Sequence, residues 1–96
     1  MSQDIVKSFD NYNKIIIEIG SGDGRLLNNL ANFYDKNKVL FIGIEIDRSQ
    51  YNNSCNRIDR KENKNLQFIN EPFEKAFENF YDNSIDTVIS VLPFSN

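Results

Sequence analysis

The residues best suited to chemistry in this chain are two acids and three glycines. Glu18-Ile19-Gly20-Ser21-Gly22-Asp23-Gly24 follows directly on the apolar run Ile15-Ile16-Ile17, and Glu45 closes the run Val39-Leu40-Phe41-Ile42-Gly43-Ile44. Glycines on alternate residues let a main chain turn and approach a ligand where a Cβ would collide. A carboxylate at the end of the second run can accept hydrogen bonds from both hydroxyls of a ribose, a geometry that an amide does not satisfy. Apolar runs that end in such groups read as buried parallel strands with a nucleoside-cofactor site at their carboxyl ends.

The glycine spacing narrows the ligand. A dinucleotide loop, G-x-G-x-x-G, requires glycine at position 25, which is Arg25; the third glycine comes one residue early. A nicotinamide-dependent oxidoreductase is therefore the weaker reading, although it shares the acid after the second strand.

The elements that must position these groups alternate in kind. Ile5, Val6, Phe9 and Tyr12 are spaced for one short amphipathic helix, followed by a strand at Lys14 to Ile19. Asp23 is placed to cap a helix whose apolar positions are Leu26, Leu27, Leu30, Ala31, Phe33 and Tyr34. A polar turn at 35–38 leads into the second strand, Val39 to Glu45. A polar helix is expected from Arg48, capped by Asp47, to about Glu62, with Tyr51, Cys55 and Ile58 as its narrow apolar stripe. Leu66 to Ile69 reads as a third strand, Phe73, Ala76, Phe77 and Phe80 as a short helix, and Ile85 to Leu92 as a fourth strand. Such alternation predicts an α/β fold, a Rossmann-like parallel sheet with flanking helices and right-handed crossovers.

Composition removes several function classes. Ninety-six residues suffice for one small domain. The net charge of −3 gives no global basic field to attract nucleic acid. There is no histidine, which argues against a zinc hydrolase or a Ser/His/Asp enzyme, and no metal site is expected. Cys55 is the only cysteine and reads as structural. No run is long enough for a membrane span and no leader opens the chain, so the expected location is cytoplasmic.

The pattern Glu18-x-Gly20-x-Gly22-x-Gly24 resembles motif I of the class I S-adenosylmethionine-dependent methyltransferases, from about Lys14 onward. Within them the chain is most similar to the tRNA (guanine-N7-)-methyltransferase family. The similarity runs through Glu18 to Leu27, Phe41 to Ile46, Asn65 to Asn70 and Asp82 to Asp86. The resemblance implies a strand order of 3-2-1-4, S-adenosyl-L-methionine as cofactor, and a guanine in tRNA as methyl acceptor. Two positions depart from the family. Pro72 stands where an aspartate is expected after the third strand, and Phe94 stands where the family has the aspartate of Phe-Pro-Asp-Pro-Trp. Leu92-Pro93-Phe94 also resembles part of the Asn-Leu-Pro-Tyr/Phe element of adenine dimethyltransferases and lipid amino-methyltransferases, with Val91 in place of the asparagine. A lipid, amine or other small acceptor is thus the alternative.

The roles follow from the cofactor's chemistry. Gly20, Ser21, Gly22 and Gly24 would pass close to the methionyl part, and Glu18 would favour its ammonium. Glu45 would take the ribose, and Glu71, Phe73 and Ile46 would surround the adenine. Pro93 and Phe94 would face the substrate. Each has a plainer rival: Glu18 as a loop cap, Glu71 as turn chemistry before a proline. Arg57, Arg60, Lys61 and Lys64, interrupted by Asp59 and Glu62, read as a solvated helix face more than as an RNA patch. Phe33, Phe41, Phe68, Phe77 and Phe80 read as core. The family's further strands are expected beyond Asn96, which makes these residues the N-terminal part of a longer fold. Otherwise the fourth strand is an open edge, available for self-association or for the partner of a non-catalytic half-domain.

Overall fold

In the computed structural model of the chain, which describes residues 8–58, 64–80 and 85–90, the apolar runs form one parallel sheet. Its strands are β1 (Lys14–Ile19), β2 (Val39–Ile44), β3 (Leu66–Ile69) and β4 (Thr87–Ser90), in the order β3-β2-β1-β4. Lys14 to Ile19 pair with Val39 to Ile44, and Phe41 to Ile44 pair with Leu66 to Ile69. Ile16 to Ile19 pair with Thr87 to Ser90. Parallel neighbours need long crossovers, and these carry α1 (Arg25–Phe33), α2 (Arg48–Arg57) and α3 (Phe73–Phe77).

Strand order dictates which face each helix covers. From β1 to β3 the chain steps in one direction, then it returns past β2 and β1 to reach β4. Right-handed crossovers in opposite directions lie on opposite faces. Accordingly Leu27 and Ala31 of α1, with Tyr51 and Cys55 of α2, pack beside Ile16, Phe41, Leu66 and Phe68. Ala76 and Phe77 of α3 pack on the other face with Ile15, Ile17, Leu40, Ile42, Ile44 and Ile69. Phe9, in a short 3-10 turn at Ser8–Asn11, and Tyr12 join that second face. The reversal places the crevice for a ligand at the carboxyl end of β1, beside β4.

Several local expectations change. The helix expected over the first dozen residues is represented by the 3-10 turn at Ser8–Asn11, and residues 1–7 lie outside the described residues. The cap residue of α1 is Gly24 in the left-handed region, not Asp23, although Asp23 Oδ1 accepts from the Arg25 amide at 3.1 Å. α2 ends at Arg57 because Ile58 is already extended; residues 59–63 lie outside the description. α3 stops at Phe77, and Phe80 reaches the core from the turn behind it, against Phe9 and Phe77. Phe33 is not core: it is 84% exposed at the last turn of α1, edge-on to Tyr34. The core side of that helix is already filled by Leu27 and Ala31. Ile85 and Asp86 precede β4 instead of belonging to it, and Asp86 Oδ2 accepts from the Ile15 amide at 2.8 Å. Residues 91–96, the end of the expected fourth strand included, lie outside the description.

One polar side chain ties a helix end to the sheet. Asn65 is fully buried, and its Nδ2 donates to Val39 O at 3.1 Å and more weakly to Ala31 O at 3.4 Å. We expect Asn65→Ala to destabilise the fold by about 2 kcal/mol, because two inward carbonyls lose a donor and a cavity opens. The check is urea denaturation, in which the midpoint falls while the slope is unchanged. Among the described residues no helix is long and apolar enough to cross a membrane.

Candidate functional site

β1 ends in a loop held by its neighbour strand. The Ile44 carbonyl accepts from both the Gly20 amide (2.8 Å) and the Ser21 amide (3.2 Å), and Ser21 O accepts from the Gly24 amide (3.0 Å). Gly20, Gly22 and Gly24 have φ of 73°, 61° and 80°, a region other residues enter only with strain.

The three glycines are not equivalent. A Cβ at Gly20 or Gly22 would meet nothing within 4 Å, so this side of the loop borders open space. A Cβ at Gly24 would fall 2.5 Å from Phe68 Cζ and 2.9 Å from Ser54 Cβ. Gly24 is thus a packing glycine as well as a turn glycine, and its bare side faces the protein interior.

Glu45, one residue beyond β2, bridges this loop to α2. Its Oε1 accepts from the Gly22 amide at 2.7 Å and its Oε2 from the Asp47 amide at 2.9 Å. Each carboxylate oxygen retains a further acceptor site. Asp47 is occupied otherwise: its Oδ1 caps α2 by accepting from the Gln50 amide at 3.0 Å. Asn70, to which the sequence reading gave no role, holds the same segment from β3. Its Nδ2 donates to Glu45 O (2.8 Å) and Ile46 O (3.2 Å). The available signal was a polar residue placed where an apolar strand ends.

Glu18 lies under the loop on the α1/α2 face, opposite Gly43 in the register. It is 4% exposed, and its Oε1 has no hydrogen-bond partner among the described residues; neither has the buried Ser21 Oγ. Burial, and secondarily the Glu45 carboxylate, raise its pKa to about 6. An unsatisfied buried carboxylate leading into a loop that borders open space, with a second carboxylate nearby, calls for a cationic, hydrogen-bonding ligand. Those features fit S-adenosylmethionine, which carries an ammonium and two ribose hydroxyls.

The remaining expected residues are placed less closely. Ile46 is 66% exposed just after Glu45. Glu71 is half-buried between β3 and α3, and Pro72 is the cap residue of α3. Phe73 opens that helix, exposed and edge-on to Phe77 at 6.1 Å. Pro93 and Phe94 lie outside the described residues. Of the basic cluster, Arg57 is engaged: its Nη2 lies 3.1 Å from Asp23 Oδ2 and its Nε donates to Asp23 O at 3.3 Å. It fastens the end of α2 to the glycine loop. Lys64 is exposed, and Arg60 and Lys61 lie outside the description. Among the described residues no group of acids and cysteine is arranged to hold a metal.

A family model described as a methyltransferase domain matches residues 10–94. The chain is 32% identical over 80 residues to the tRNA (guanine-N(7)-)-methyltransferase of Oceanobacillus iheyensis, covering 83% of this chain and 37% of that protein. It is 31% identical over 84 residues to the enzyme of the same name from Macrococcus caseolyticus, covering 88% and 39%. The fold is similar to a SAM dependent methyltransferase from Aquifex aeolicus, with a TM-score of 0.62, 17% identity, and coverage of 92% of this chain and 46% of that one. A dimethyladenosine transferase from Plasmodium falciparum aligns with a TM-score of 0.59 at 20% identity, covering 96% and 31%. The chain therefore spans 37–39% of the length of these two curated relatives.

Proposed function

Because the chain belongs to the methyltransferase domain family, we propose that it forms the S-adenosylmethionine-binding part of an enzyme that methylates N7 of a guanine in tRNA. The observation that carries the cofactor half is the buried Glu18 carboxylate within the field of Glu45, next to a glycine loop whose Gly20 and Gly22 border open space. The substrate half is supported by the two relatives named for that reaction. A tRNA substrate implies work in the cytoplasm.

When bound, the sulfonium supplies a methyl group that needs no further activation, so the protein's task is placement. Glu18 and the main chain at Gly20 and Gly22 orient the amino-acid end, and Glu45 orients the ribose. Asn70 fixes the backbone that presents Glu45 and Ile46. Ile46 and Phe73 offer apolar surface, and Glu71 an acceptor, on the adenine side. Guanine N7 carries a lone pair and no proton to remove, so no general base is assigned.

The test is calorimetric titration with S-adenosylhomocysteine, with NAD as the control, followed by methyl transfer to unmodified tRNA. One-to-one binding of the homocysteine nucleoside without NAD binding, and label on guanine N7, are expected. Failure to bind overturns the cofactor assignment. Label on another base, or on a lipid or amine in preference to tRNA, overturns the substrate.

A further inference from the structure

Gly43 sits in the middle of the parallel sheet, where a β-branched residue is the usual choice. The space its side chain would fill is taken. A Cβ there would fall 2.6 Å from Cδ1 and Cε1 of Phe68, and 2.7 Å from Ser21 Oγ. The same ring closes on Gly24, where a Cβ would fall 2.5 Å from Cζ. Phe68 therefore leaves β3, crosses the bare backbone of β2 and ends beneath the glycine loop, with fully buried Ser54 of α2 beside it. Three small residues on three elements leave room for one ring.

We propose that Phe68 is the positioning residue of the glycine loop: its ring, wedged between Gly43 and Gly24, sets the height of the Ser21–Gly24 turn and so the affinity for the cofactor's amino-acid end. The affinity clause rests on the cofactor assignment above; the wedge itself does not. Interiors packed at crystal-like density transmit such a displacement instead of absorbing it. Ser21 is the link, because its hydroxyl lies against the same Gly43 position and its carbonyl accepts from the Gly24 amide. The Gly22 amide, held by Glu45, lies between them.

The experiment compares the parent with Gly43→Ala, Phe68→Leu and the double variant. In Gly43→Ala, S-adenosylhomocysteine affinity is expected to fall by about tenfold, the equilibrium equivalent of ordinary overpacking. Affinity for methylthioadenosine, which lacks the amino-acid end, is expected to fall by less than about threefold. The double variant is expected to recover most of the loss, a non-additivity expected of groups in contact. Amide hydrogen exchange supplies a ligand-independent reading. Gly22 and Gly24 exchange faster in Gly43→Ala while the core amide of Ile17 does not, and the double variant restores them. A uniform acceleration that includes Ile17, equal losses for both ligands, or additive effects of the two substitutions each overturn the proposal. Should Gly43→Ala fail to fold, Phe68→Leu alone decides, since loss of the wedge also accelerates Gly22 and Gly24 selectively; unchanged exchange there overturns it. A parent that binds no S-adenosylhomocysteine overturns the cofactor assignment and leaves the exchange comparison to judge the wedge.

Discussion

Replacing Glu45 by alanine is expected to weaken S-adenosylhomocysteine binding by about a hundredfold at neutral pH, measured by calorimetric titration. Two effects combine. In the proposed site the ribose loses its charged acceptor, worth about 1.5–3 kcal/mol for a hydrogen bond to an ionised group. The loop loses the Gly22 amide's acceptor at 2.7 Å, so the chain that borders the methionyl end loosens as well. Glutamine should do little better. Both Glu45 oxygens face main-chain donors, the Gly22 and Asp47 amides, and a side-chain NH2 opposite either one sets donor against donor. Parent-like affinity in Glu45→Ala would remove the ribose assignment.

Glu18→Gln is expected to act in opposite directions on stability and on binding. The Glu18 pKa rises from 4.5 to about 6 in the folded chain, first through burial and then through Glu45. The folded state therefore holds a proton that the unfolded state has released between those values. Stability falls as pH rises through that window, and the loss is complete above about pH 6. A shift of this size corresponds to about 2 kcal/mol. Glutamine keeps the shape without the charge. Denaturation midpoints for parent and variant should coincide below the unfolded pKa and separate above about pH 6, with the variant more stable. Cofactor binding should show the reverse, because the amide no longer neutralises the ammonium. In the parent, affinity should weaken as pH falls below about 6, where Glu18 takes up a proton. Equal pH dependence of stability in the two proteins would show that Glu18 is not the titrating group. This trade is expected where a binding site is held in a strained electrostatic state until its ligand arrives.

The difference between the two acids marks how far sequence reasoning reaches. Glu45 is legible as a candidate because its chemistry is local: it ends an apolar run, and Asp47 two residues later is claimed by the helix it caps. Glu18 precedes the loop, so its relevance was legible, but its raised pKa was not. That shift needs the burial beneath the loop and the approach of Glu45 from the neighbouring strand. Asn70 and Arg57 carry no local signal of a positioning role for the same reason, each acting on main chain distant in sequence.

The alternation of strands and helices and the glycine loop are legible in the sequence alone, and the order β3-β2-β1-β4 through its family resemblance. These depend on apolar period, turn chemistry and the missing Cβ, which are properties of neighbouring residues. The packing of the folded chain sets Phe33 in solvent while Phe68 is buried. It also decides that Gly24 and Gly43 serve one ring, and that Gly20 and Gly22 alone border open space among the loop's three glycines. The two phenylalanines have the same intrinsic preference for burial. What separates them is whether a neighbouring element leaves a slot of the right size, and that is fixed by the register of strands and the approach of helices, not by any local run of residues.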